Sequence, residues 1–391
     1  MNNQYYPIVR AKGGELEALT FFKKLDKASL SRCTPIFEIT KLEGRSLEVA
    51  KKNSSTPYEE YLDARAHKIA EIFRGKRVFL DVSQWPTGFT TEGGEQVLSY
   101  VCQSLKDLGV IVCPLIGYDR WESAEYRETI RSIVLAETAG FCIRLDSLAI
   151  EDLGDLDHLD EIVEDMILTT GINEEQTPVL IDIGDVTKIP MQELMETVET
   201  AYSHMKSLGF STVIMSASSI PDSIEKAVKE RDSSGIIHRK EMIVWKGFLS
   251  ANPTASLYFG DYGVRNPRSS DNIAPHMNVK IRHTINNGFY VVRGHSVQGD
   301  DGFAQSQKLA VDVVQSVHYK HPNFSWGDAM IKQCSVGKLI GNSTNWIAYD
   351  TSHHLKYVTT EIFEFTTQLA AIAARVGSEV KSAAGSVLHQ R

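Results

Sequence analysis

Residues 178–216 read PVLIDIGDVTKIPMQELMETVETAYSHMKSLGFSTVIMS. The opening run, Pro178 to Ile183, is short, apolar and rich in branched side chains, which reads as a strand. Leu194, Val198, Ala201, Met205 and Leu208 then recur at alternating four- and three-residue intervals, which puts them on one stripe of a helix. In Leu208-Gly209-Phe210 the glycine can end that helix in the left-handed conformation, and Thr212 to Ser216 repeats the strand pattern. Two strands joined by a helix with one apolar stripe form a βαβ unit, so the strands are parallel.

The same unit extends in both directions. Upstream lie Tyr6 to Ala11, Pro35 to Ile39, Arg77 to Val82, Val110 to Ile116 and Phe141 to Leu145; downstream lies Leu257 to Phe259. The eight runs start roughly 28 to 45 residues apart, which matches a (β/α)8 TIM-like barrel of about 250 residues. Val97, Val101, Leu105 and Leu108 give another helix stripe, and Gly109 and Gly140 stand before strands as Gly209 does. An open doubly wound sheet shares most of these signals, but the glycine-rich dinucleotide fingerprint is missing after the first run. The expectation is an α/β barrel over residues 1–265, followed by a C-terminal α+β extension, 266–391, packed on it.

Between Arg231 and Ala255 the rhythm breaks, and Met242 to Trp245 reads as a short strand or a buried helix. After Pro267 the parallel repeat ends: Asn278 to Thr284 and Phe289 to Gly294 flank Asn286-Asn287-Gly288, which predicts a β-hairpin. Helices are predicted around Phe303 to Tyr319, Gly327 to Ile340 and Val358 to Val376.

Composition narrows the functional classes. A net charge of −9 weighs against nonspecific DNA binding, which draws on many Lys and Arg phosphate contacts, but leaves room for a local basic patch. No apolar run approaches the roughly 20 residues of a membrane span, and the first residues carry no secretory pattern, so the expectation is a cytoplasmic protein without membrane association. The five cysteines lack the C-x-x-C spacing of redox or zinc sites and read as reduced core thiols. No Walker loop, H-E-x-x-H or G-x-S-x-G motif occurs.

In such a barrel, ligand and catalytic groups gather at the C-terminal ends of the strands. Those ends carry Lys12, Glu38, Asp81, Arg144, Asp182, Asp261 and Tyr262. Carboxylates interleaved with Arg and Lys can bind a divalent cation and a phosphate, or can form a satisfied ion-pair network. Glu38, Asp81 and Asp182 are the candidates for acid, base or metal work if the protein is an enzyme, and helix capping is the structural alternative for the two aspartates. Lys12, Arg144, Asp261 and Tyr262 are candidate ligand contacts. On the hairpin, Arg293 and His295 lie two residues apart and share a face, where they could meet an anion. Asn342 opens a polar stretch through Trp346 that reads as a ligand-contacting loop or an ordinary turn. His353 and His354, read as extended chain, face opposite sides and make poor joint metal ligands. No metal or cofactor is assigned.

With the repeating strands, Leu257-Tyr258-Phe259-Gly260-Asp261-Tyr262, the Gly341-Asn342 to Trp346 stretch and the His353-His354 pair make the chain resemble the Beta protein family over nearly its full length. That family occurs in bacteriophages and in bacterial gene neighbourhoods linked to phage defence, so the resemblance implies a role in phage conflict. It brings no agreed reaction and no catalytic set. Two expectations follow: a sensor or partner-binding component of antiphage defence, engaging a protein partner or phage component, with a nucleotide or other phosphate ligand at the barrel mouth; or a metal-dependent phosphodiesterase or other hydrolase of a phosphate-containing ligand.

Overall fold

The computed structural model describes residues 4–135, 140–269 and 277–388. Eight parallel strands close into a barrel: β1 (Tyr5–Arg10), β2 (Ile36–Glu38), β3 (Arg77–Asp81), β4 (Ile111–Gly117), β5 (Cys142–Leu145), β6 (Val179–Asp185), β7 (Val213–Ser218) and, after the intervening β8 (Ser233–His238), β9 (Leu257–Asp261), which pairs with both β7 and β1. Each run foreseen in the sequence is one of these strands. The alternation of a strand sorts its side chains: Ile8, Ile36, Phe79, Cys113, Leu115, Cys142, Leu180 and Ile214 fill the barrel, while Val9, Phe37, Val78, Leu80, Val112, Ile143 and Val179 pack outward on the helices.

The helical stripe that fixed the reading is the buried face of helix Met191–Ser207, where Leu194, Val198, Ala201 and Met205 are fully covered. Gly209 ends that turn at a φ of 95°, a conformation that glycine adopts without strain. Phe37, Phe73, Phe210 and Phe259 are also fully buried, and truncating any one to alanine costs roughly 3–5 kcal/mol.

The break between β7 and β9 resolves into two elements. Met242 to Trp245 lie in helix Lys240–Ala251, which packs on β7 and β9 and whose Trp245 Nε1 donates to Leu257 O at 3.1 Å. Of the two readings the sequence left open, the helix is the one realised. β8 was not foreseen. It leaves the barrel and joins the predicted hairpin, β10 (Asn278–Ile285) and β11 (Gly288–Ser296), in a three-stranded antiparallel sheet of order β10-β11-β8. Asn287, at a φ of 53°, forms the hairpin turn.

The predicted helix around Phe303 is a short 3-10 turn followed by Ser306–Gln315, and the next is Trp326–Ser335. The last helix begins at Ser343, fifteen residues before the predicted start at Val358, and runs to Leu388. Asn342 and Asn345 exchange side-chain caps, with Asn345 N donating to Asn342 Oδ1 at 3.0 Å and Asn342 N to Asn345 Oδ1 at 3.1 Å. The polar stretch that read as a loop is therefore a helix start, and His353 and His354 are helical rather than extended. Leu355, Val358 and Ile362 bury against β1 and helix Gly13–Leu25, so this helix completes the ring around the barrel. Among the described residues, no helix is long and apolar enough to cross a membrane.

Candidate anion-binding site at the barrel mouth

The alternation that sends Ile8, Ile36, Phe79, Cys142 and Leu180 into the barrel continues one step further along each strand, to Arg10, Glu38, Asp81, Arg144 and Asp182. These form a polar layer above the apolar one. Arg144 stands at its centre: Nε and Nη2 donate to Asp182 Oδ2 at 2.9 and 2.5 Å, Nη1 and Nη2 lie 3.3 Å from Glu38 Oε1, Nη2 is 3.1 Å from the Tyr262 hydroxyl, and Nη1 also donates to Asp81. Tyr262 in turn donates to Asp182 Oδ2 at 2.6 Å, and Arg120 Nη2 meets Asp81 Oδ1 at 3.0 Å.

The three candidate carboxylates are thus brought together, around a guanidinium. Burial would raise Asp81, but Arg120 and Arg144 outweigh it and hold the carboxyl at about 2. Glu38 is pushed up, chiefly by burial against the opposing pull of Arg144. Asp81 therefore stays ionised at neutral pH and is no proton donor; of these two, Glu38 is the one displaced toward neutrality. All three are less than a tenth exposed.

Asp261 belongs to a different cluster. Tyr5 donates to its Oδ1 at 2.5 Å and His354 Nε2 to its Oδ2 at 3.0 Å, while Thr284 Oγ1 lies 2.9 Å from His354 Nδ1. Burial would raise Asp261, but His354, Arg239 and Tyr5 together hold it below the ordinary range, and burial lowers His354. The bonds fit a carboxylate and a neutral imidazole protonated at Nε2. The Thr-His-Asp sequence is that of a nucleophilic relay, yet Thr284 and His354 have no exposed surface, so no substrate reaches them. The cluster ties the last helix to the barrel wall.

Beside the polar layer opens a cleft of about 970 Å³, lined by the segments that follow β1, β7 and β9, by β10 and β11, and by the start of the last helix. Lys12, Lys226, Arg265, Arg268, Lys280, Arg282 and Arg293 line it; the carboxylates there are Asp222 and Glu225. Both are already paired, Asp222 with Lys226 at 2.7 Å and Glu225 with Arg293 at 2.9 Å. Arg282 Nε donates to buried Asp350 at 3.0 Å, and Arg265 approaches Glu15 at 3.4 Å. Lys280 makes no ion pair or side-chain hydrogen bond with a described residue, and burial together with Arg282 lowers its ammonium to about 8. Two helix starts also face the cleft, Gly13-Gly14 and Ser343-Thr344. A Cβ on Gly14 would lie 2.8 Å from Thr344 O, so glycine is what lets the two starts approach. Lys12 precedes the first helix without capping it, leaving the first N–H groups there to other acceptors.

Of the remaining candidates, His295 Nδ1 contacts Asp232 Oδ1 at 2.9 Å and does not line the cleft, although Arg293 does. Asn342 caps the helix whose next residues line it. Sequence reading missed Arg120, Arg268 and Lys280. Lys280 and Arg282 lie two apart on β10 and share a face, a signal the hairpin pattern carried; Arg120 sits on a 3-10 turn after β4, where no periodicity marks it.

No curated protein matches the chain. The model of one family, described as Beta protein, matches residues 5–360, which takes in all eight barrel strands, the three-stranded sheet and the first turns of the last helix. The chain belongs to the Beta protein family.

Proposed function

We propose that this protein is a non-catalytic sensor or partner-binding component in phage conflict, on the side of antiphage defence, and that its cleft takes a phosphate-containing ligand of nucleotide size. The observation that carries the reading is the cleft itself: seven Lys and Arg side chains line it, against the four carboxylates Asp222, Glu225, Asp350 and Glu15 that pair with Lys226, Arg293, Arg282 and Arg265, on a chain whose net charge is −9. Its volume falls within the roughly 300–1,000 Å³ of small-molecule sites. Helix starts and guanidinium groups supply the donors that phosphate oxygens accept.

Binding is preferred to hydrolysis because Arg144 fills the space between Glu38, Asp81 and Asp182 that a catalytic cation would need. Because β10, β11 and the last helix line the cleft, an occupant would bridge them to the barrel, and the C-terminal sheet and helices would carry the signal to a partner. The test is phage challenge of bacteria expressing the full chain. Protection is expected from the wild type and is lost in a Lys280→Glu/Arg268→Glu variant that unfolds at the wild-type temperature. Equal protection by the variant would remove the cleft from the function; plating unaffected by the wild type across a broad phage panel would remove the defence role.

A further inference from the structure

We infer that His283, Asp328 and His353 form a buried divalent-metal site, suited to zinc, that staples the C-terminal sheet to its two helices. The residues come from three elements, β10, helix Trp326–Ser335 and the last helix, and their candidate ligand atoms all lie within 4.8 Å of one another. All three side chains are essentially inaccessible to solvent.

Three observations point to an ion. Asp328 Oδ1 is buried without a hydrogen-bond partner among the described residues, and neither ring nitrogen of His283 makes a hydrogen bond of normal geometry, although the His318 backbone interacts with one of them. Buried polar atoms are rarely left so, and one ion can take Asp328 Oδ1 together with one of the two His283 nitrogens. The outer contacts orient the remaining ligand atoms. His353 Nε2 lies 2.8 Å from Thr284 O, a carbonyl that can only accept, so Nε2 carries the proton and Nδ1 is left to ligate. Ser325 Oγ holds Asp328 Oδ2 at 2.5 Å. Finally, His353 Nδ1 and that same Oδ2 face each other at 2.8 Å in a dry pocket, with the second imidazole stacked at 3.7 Å, so the ligand atoms of three elements already meet at one point.

Zinc binds nitrogen and carboxylate oxygen at about 2.0–2.2 Å, so two ligands on a tetrahedral ion stand about 3.3 Å apart. Admitting the ion opens the 2.8 Å contact by a few tenths of an ångström and turns one imidazole out of its stack on the other, so that both in-plane lone pairs converge. Two imidazoles and a carboxylate are a donor set that zinc accepts, with the fourth position left to water. A sealed site of this kind loads during folding. Its place matters to the cleft, because Thr284 joins both histidines: its carbonyl meets His353, and its hydroxyl meets His354 on the barrel side.

The test uses the full chain, freed of any affinity tag and purified without chelator. Elemental analysis should give close to one zinc per chain, and a strong chelator should lower the melting temperature, with zinc restoring it. Cobalt substitution should give the visible absorption of a tetrahedral nitrogen and oxygen site. Asp328→Asn and His283→Gln, which preserve volume, should each lower zinc affinity at least tenfold. Less than a tenth of an equivalent in the wild type, with no uptake when the unfolded chain is refolded in zinc, would overturn the inference even if every variant failed to fold; so would full zinc content in both variants.

Discussion

Replacing Arg144 by methionine removes the one group that contacts Glu38, Asp81 and Asp182 together. Asp81 keeps Arg120 at 3.0 Å and Asp182 keeps the Tyr262 hydroxyl at 2.6 Å, whereas Glu38 loses both contacts from Arg144 and keeps only the pull of Arg10. Removing one partner of a buried ion pair typically costs about 3–5 kcal/mol, because the remaining charge is stranded. That is a large part of the roughly 5–15 kcal/mol that holds a domain together. The loss also depends on pH. Without Arg144 the native-state pKa of Glu38 rises further, so the folded variant binds a proton that the unfolded chain releases, and its deficit grows as pH rises above the ordinary carboxylate range. Urea unfolding followed by tryptophan fluorescence should show a loss of about 3–5 kcal/mol at pH 7.5 and a clearly smaller one at pH 5. Adding Glu38→Gln to the variant should recover part of the loss at pH 7.5. A deficit under about 1 kcal/mol that does not change with pH would refute the argument, since it is the range of an exposed pair.

Glu241 offers a second pH test. Burial outweighs Arg239 and pushes its carboxyl up to about 7, while Ser219 Oγ donates to it. The native acid therefore keeps a proton that the unfolded chain releases above the ordinary glutamate range, and stability should fall by about 3 kcal/mol between pH 4.5 and 7 through this group; Glu241→Gln should flatten that part of the profile. Lys280 gives a pH test of binding: with its ammonium lowered to about 8, affinity for sulfate, whose charge is constant here, should decline above pH 8 in the wild type and stay level in Lys280→Ala. Gly14→Ala should cost about 1–3 kcal/mol, read by urea unfolding, because the added methyl meets the Thr344 carbonyl and forces the two helix starts apart.

The barrel was legible because its strands are buried on both faces, and such strands are nearly continuous apolar runs that stand out from one-sided helices. β8 was hidden for the opposite reason. Ser233-Ser234-Gly235 has little strand propensity, and the strand alternates between exposed and covered positions at the edge of a small sheet, where β11 dictates its conformation. Asn342-Ser343-Thr344-Asn345 carries turn chemistry and capping chemistry at once, and only the packing of the last helix on β1 decides between them. The strand-end polar layer could be placed by period alone, which is why Glu38, Asp81, Arg144 and Asp182 were found. The cleft draws residues from segments hundreds of positions apart and the His283, Asp328 and His353 cluster from three elements within 70, and no local pattern encodes either meeting.

The central claim is that the cleft binds a phosphate-containing ligand. Isothermal titration of the purified full chain with pyrophosphate and a panel of nucleoside triphosphates tests it most directly, with Lys280→Glu/Arg268→Glu titrated beside the wild type. At least one of these ligands should bind the wild type with one site per chain, with affinity falling at least tenfold in the variant and weakening with salt. No heat from any of them, or equal binding by the two proteins, would contradict it.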